Sequence, residues 1–182
     1  MKVFTTALLA LGIAACGAAT GSIAPEDLGL TARQASLEAR TEARSWSSDA
    51  RLRYVEGAGI TASGQALQGT GEWRFHYTAP GRTGELFVRV APLEMIAEER
   101  AATSPPGFVI GDNALGGSWV DSPEALDVVL DARAEAGAAG LAASLLLVPT
   151  VPARWVVRFP EEGGSARWVV NAETGALVEG GS

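Results

Sequence analysis

The chain has 182 residues, 47% of them hydrophobic and 19% charged, a balance that can bury a core and excludes a disordered polymer. Its formal net charge of -7 argues against nucleic acid as a partner, because phosphate contacts along a duplex need clustered Lys or Arg. Lys2 is the sole lysine; we read the exclusive use of Arg after it, with the abundance of Ala and Gly, as coding bias and not as a phosphate-binding adaptation.

Lys2 is followed by an apolar run over residues 3–13, which closes on Ala14 and Ala15 before Cys16, the only cysteine. About eleven apolar residues are too few to cross a bilayer core, which takes roughly twenty in a helix, so the run is a cleaved secretory signal or a buried helix. A lone cysteine in a secreted chain is a free thiol, an intermolecular bridge or a lipid attachment point. The end of the run resembles the lipobox of bacterial lipoproteins, in which the peptidase cuts before a diacylated cysteine. That resemblance implies acyl chains on Cys16 and a product fixed to a membrane without spanning it. In that family an Asp after the cysteine often retains the product in the inner membrane. Gly17 stands there, so the expectation is the outer membrane, facing the periplasm, if the source has two membranes.

Residues 17–29 are small or polar, include Pro25 and show no apolar periodicity, the composition of a flexible tether spanning roughly 20 Å. Thr31 with Gln34 is a capping-box signal, and Leu30 is placed as the staple residue before it. Ala35, Ala39, Ala43 and Trp46 recur at helical spacing, a narrow face that predicts a helix lying close on a sheet until Ser47, Ser48 and Asp49 break it. Residues 50–55 alternate as a strand, with Ala50, Leu52 and Tyr54 on one side and Arg51, Arg53 and Val55 on the other. Residues 57–71, rich in Gly and Ser, read as a long loop or a loose hairpin.

The clearest strand covers residues 72–78, with Trp73, Phe75 and Tyr77 on one face and Arg74 and His76 on the other. A turn at Pro80 and Gly81 leads to a strand over 85–91; residues 93–100 fit either a strand or a short helix, and 101–107, with Pro105 and Pro106, read as linker. In a second helix Ser122 can cap, Pro123 suits the first position, and Leu126, Val129, Leu130 and Ala134 form the buried face before Gly137 and Gly140 end it. Strands are predicted at 143–148, 154–159, 166–172 and 176–179.

The halves look alike: Trp73, Phe75 and Tyr77 turn through Pro80 to Phe87, Val88 and Val90, as Trp155, Val157 and Phe159 turn at Pro160 to Trp168 and Val169. The fold class this predicts is α+β, two similar units, each a helix packed on an antiparallel sheet. The expected division is a signal peptide at 1–15, a tether at 16–29, a first unit at 30–100, a linker at 101–118 and a second unit at 119–182. Residues Trp155 to Phe159 and Trp168 to Val178, with the turn at Glu173, Thr174 and Gly175, resemble the PepSY domain, a cystatin-like module of secreted and membrane-attached bacterial proteins. The resemblance covers about thirty residues of the second unit and the first unit more weakly. It implies a binding or regulatory module, in some members proposed to restrain proteases, and brings no catalytic residues.

Chemistry-bearing groups are sparse. His76 is the only histidine, and with no second one and no further cysteine it has no obvious metal set; it reads as an exposed strand residue. No Gly-x-Ser-x-Gly elbow is present. Glu124, Asp127, Asp131 and Glu135 make an acidic stripe along the second helix, a solvated face or a surface for a basic partner or divalent cation. Gly111, Asp112 and Asn113 lack the later ligands of a calcium loop and read as a turn. Trp46, Trp73, Trp155 and Trp168 read as core, whereas Trp119 is the tryptophan assigned to a surface role, beside the acidic stripe. The expectation is a non-enzymatic envelope protein, without cofactor or metal, attached through Cys16 and binding an envelope protein or peptide; the alternatives are a structural lipoprotein of an envelope complex and an enzyme with an unrecognised site.

Overall fold

The computed structural model describes residues 29–102, 113–135, 143–161 and 164–181. Two helices, α1 (Ala32–Trp46) and α2 (Ser122–Glu135), accompany eight strands: β1 (Arg51–Ile60), β2 (Glu72–Thr78), β3 (Gly84–Ala91), β4 (Glu94–Ala101), β5 (Ala143–Val148), β6 (Arg154–Glu161), β7 (Gly164–Asn171) and β8 (Leu177–Gly180). The strands form one sheet in the order β4-β3-β2-β1-β5-β6-β7-β8, every neighbouring pair antiparallel. The class is α+β. Each helix is followed by a four-stranded meander, and the first strands of the two meanders meet at the centre. There Glu56 lies opposite Leu146, with Val55 opposite Leu147 and Gly57 opposite Leu145, a register that reads the same from either strand.

Both helices cover the same face. Ala32, Ala35, Ala39 and Ala43 of α1 are buried with Ala125, Leu126 and Val129 of α2 in a cluster that includes Trp73, Phe75, Val88, Trp155, Val157 and Phe159. Small side chains on α1 let its axis approach the sheet, as its spacing predicted. On α2 the buried face is shifted from the expected one: Ala134 is exposed, and Arg133 is buried with its guanidinium 4.0 Å above the Phe159 ring. An aromatic face can take a cation that aliphatic periodicity would not assign inward.

The two helix N-termini are joined. In α1 the capping box forms as predicted, Gln34 N–H donating to the Thr31 hydroxyl and Thr31 N–H to the Gln34 side chain. The remaining N–H groups of the first turn look across the chain: Ala32 N–H donates to Ser122 Oγ and Arg33 N–H to Asp121 Oδ1, both at 2.9 Å. Ser122 was expected to cap its own helix; Asp121 does that instead, accepting from Ser122 N–H at 2.7 Å and, through its carbonyl, from Ala125 N–H. The fully buried Ser122 hydroxyl donates to Gly64 O at 2.7 Å. Gly64 has φ of +75°, and an added Cβ would strike the Pro123 backbone, so glycine is required there.

Three local readings change, and the open one at 93–100 is decided as strand. β1 carries an extra residue, Arg53, between the Leu52–Tyr77 and Tyr54–His76 pairs, so Leu52 and Val55 face the helices and Tyr54 faces away. Residues 57–60, expected in a loop, continue β1, because Gly57 leaves room for the Trp73 ring opposite it. Residues 94–101 form an exposed edge strand in which Glu94, Glu98, Glu99 and Arg100 discourage pairing with another chain. Leu115, in the expected linker, is buried and donates its N–H to Leu52 O at 2.7 Å.

Ser122→Ala leaves Ala32 N–H and Gly64 O without their partner, and is expected to lower stability by about 2 kcal/mol in urea titrations. Ser45→Ala, which removes an exposed hydroxyl bonded to Thr41 O on α1, should change it by less than about 0.5 kcal/mol. Leu93, between β3 and β4, holds φ of +72° at 82% exposure, so Leu93→Gly should raise the melting temperature by relieving a strain of about 1 kcal/mol.

Candidate functional site

Cys16, with the whole signal and most of the tether, lies outside the described residues, as do Gly111 and Asp112. Trp119 does not have the surface position expected of it. It is 7% exposed, its ring meets Trp155 edge-on at 5.8 Å, and the Arg33 guanidinium lies 4.9 Å above it while Arg33 donates to Trp119 O. A Gly-rich approach looked exposed in sequence, yet an indole beside an arginine and a second indole is held inside. Of the acidic stripe, Glu124, Asp127 and Asp131 are exposed on α2 and none enters an ion pair among the described residues; Glu135 ends the helix, its side chain outside them. Trp119 and the stripe therefore do not form one surface. Among the described residues, no group of His, Cys, Asp and Glu is placed to hold a metal ion.

The helix-free face of the sheet contains the first chemically dense cluster. His76, expected to be exposed, is 5% exposed, stacked on Tyr54 (ring centroids 3.9 Å apart, planes 16° apart) and edge-on to Phe87 at 5.2 Å. Its Nδ1 lies 3.2 Å from Glu85 Oε1 and its Nε2 3.3 Å from Glu56 Oε2. The bulge in β1 aims Arg53 at the other oxygen of Glu85, 3.1 Å away, and the Arg100 guanidinium lies 3.7 Å above Phe87. Burial alone would lower the His76 pKa, but hydrogen bonds to Glu56 and Glu85 outweigh it and raise the net value, favouring the imidazolium. Both ring nitrogens face carboxylates and one ring face is covered by Tyr54, so the cluster acts as an ionic tie between β1, β2 and β3. In sequence the one signal was Glu85, a charge at the start of a strand in which Arg89 is the only other charged residue.

The second cluster is open. A cleft of about 610 Å³ runs between α1, the start of β1 and residues 114–119, lined by Arg40, Arg44, Arg51, Tyr77, Leu115 and Trp119 among others. Arg40 and Arg44 stand one turn apart on α1, and Arg51 opens β1 beside them. Whereas Arg53, Arg74, Arg82, Arg89, Arg100 and Arg167 each meet a carboxylate, these three meet none among the described residues. Burial raises the Tyr77 phenol above its ordinary pKa, Arg40 acting the other way, so it remains a neutral hydroxyl. The sequence signal for this site was the repetition of Arg40 and Arg44 at helical spacing with no acid one turn from either; it was not read.

No family model matches the chain, and no curated protein matches it significantly. The PepSY resemblance therefore stands on the residues quoted for it. Among solved structures, a candidate lipoprotein from Clostridium difficile 630 superposes with a TM-score of 0.52 at 9% sequence identity, covering 80% of this chain and 90% of that one. At that identity the likeness is one of fold. No helix among the described residues is long and apolar enough to cross a membrane.

The His76 cluster carries a pH dependence whose sign is fixed. Its folded pKa lies above the ordinary histidine value of 6.5, so the folded state holds the proton more tightly than the unfolded chain. The resulting stabilisation is complete below the unfolded value and is lost as pH rises through the folded one. As the pH rises from the ordinary histidine value through the raised folded one the urea midpoint should fall, and His76→Gln should flatten that part of the profile.

Proposed function

We propose that the chain is a lipid-tethered protein of the cell envelope that works by binding a ligand or partner and not by bond-making chemistry. The observation that carries the binding reading is the open arginine-lined cleft beside α1, against a histidine cluster closed on itself. The run of residues 3–13 ending on Ala14, Ala15 and Cys16 supports the tether, and the described fold is shared with a protein described as a candidate lipoprotein. Gly17 favours the outer membrane, facing the periplasm, of a two-membrane cell.

The matching order of elements supports reading the chain as one unit used twice. Trp73 and Trp155 hold the same place in the two halves: each donates its indole N–H to the carbonyl two residues before its helix, Leu30 O at 2.8 Å and Val120 O at 2.9 Å. Together with the resemblance of residues 155–178 to PepSY modules, this favours a binding or regulatory role over an enzymatic one.

Cys16→Ala should abolish incorporation of acyl label and leave the signal uncut, since the cut before residue 16 requires the diacylated cysteine; acyl label retained by the variant, or a wild-type amino terminus mapped by mass spectrometry to a residue other than acylated Cys16, would reject the tether. For the binding role, turnover of any substrate that is lost in a folded His76→Gln variant would overturn the reading.

A further inference from the structure

We propose that the cleft between α1, β1 and residues 114–119 binds a small ligand through a multiply charged oxyanion, a phosphate group in preference to a carboxylate. The inference rests on the reading of this cleft as a binding site and names the chemistry of what enters it. Its volume of about 610 Å³ falls in the range of small-molecule sites.

Charge is the first argument. The protein is acidic, with a net charge of -7, and it pairs most of its strand arginines with carboxylates. Arg40 and Arg44 nevertheless repeat one turn apart, a mildly repulsive arrangement, and Arg51 adds a third guanidinium from the next element. An acidic chain that leaves three cations together, with acids to spare elsewhere, leaves them for an anion from outside. Three guanidinium groups present more positive charge than a single carboxylate neutralises, whereas a phosphate monoester carries about -1.5 to -2 and three acceptor oxygens.

The walls supply the second argument. Tyr77, held neutral by its surroundings, offers an O–H donor beside Arg40. Leu52, Leu115 and Trp119 add apolar lining for the rest of the ligand, and Leu115 is fixed there by its bond to Leu52 O. The cleft thus combines cationic and apolar lining, the makeup of a site for a phosphorylated organic molecule, free or as the phosphomonoester headgroup of a lipid.

Calorimetry on residues 16–182 carrying Cys16→Ala, so that neither an acyl chain nor the apolar run of residues 3–13 inserts into vesicles, tests the proposal with two probes: inorganic pyrophosphate, and vesicles containing phosphatidic acid, a phosphate monoester, against vesicles of phosphatidylcholine. The expected result is saturable binding of pyrophosphate that weakens at least tenfold in the Arg40→Gln, Arg44→Gln double variant, weakens with added salt, and is unchanged in Arg158→Gln, which removes an arginine on the other face of the sheet. Binding to the phosphatidic acid vesicles alone, with the same dependence on Arg40 and Arg44, would assign the phosphate to a lipid headgroup. If the double variant does not fold by its melting curve, Arg51→Gln takes its place. No binding of either probe, or binding that Arg158→Gln weakens as much as the cleft variants do, overturns the proposal. A stoichiometric partner recovered from membranes in that case would keep the binding reading and reject only the ligand class.

Discussion

The first turn of α1 has N–H groups that the helix cannot satisfy by itself, and two of them are satisfied by residues about ninety positions further on, Asp121 and Ser122. This junction fixes the rest of the fold. It places the two positive helix ends on either side of one carboxylate, where an acidic group is stabilising. It also brings Trp119 and Val120 over the sheet, where Trp155 bonds to Val120 O and meets Trp119 edge-on. Trp73 touches Trp155 in turn, centroids 6.3 Å apart, so the indoles of both halves pack through the middle of one core. Neither meander could bury its aromatic face alone in this arrangement.

The other side of the sheet is organised by charge. Eight strands with helices on one face leave the opposite face with polar neighbours, and β1, β2 and β3 solve this with a ring of opposite charges: Glu56, His76, Glu85 and Arg53. Buried ion pairs contribute little net stability, because desolvation offsets their attraction, but removing one member is strongly destabilising. The cluster is better understood as a device that fixes register. A one-residue slip of β2 would turn His76 toward the helices and leave Glu85 without it.

The arginine cleft depends on both features. α1 is held at its N-terminus by the second half, so Arg40 and Arg44, further along the same helix, are presented at a fixed distance from Arg51, and the stretch through Leu115 and Trp119 that closes the cleft is anchored by the same junction. A cationic site on a chain of net charge -7 favours anions by sign at that place.

The elements themselves were legible in the chain. Thr31 and Gln34 announced the start of α1, the alanines announced its close contact with the sheet, and the alternation of Trp73, Phe75 and Tyr77 announced the buried face of β2, because caps and periodicities are set by neighbours a few residues away. The tether at Cys16 is likewise a reading of local sequence. Only the tertiary structure decided that Asp121 and Ser122 cap α1, that Arg53 is the bulge which turns Tyr54 to the other face, that His76 and Trp119 are buried, and that Arg40, Arg44 and Arg51 share a cleft. Each of these depends on which distant segment lies alongside, and the free energy that chooses it comes from contacts between residues that no local window contains.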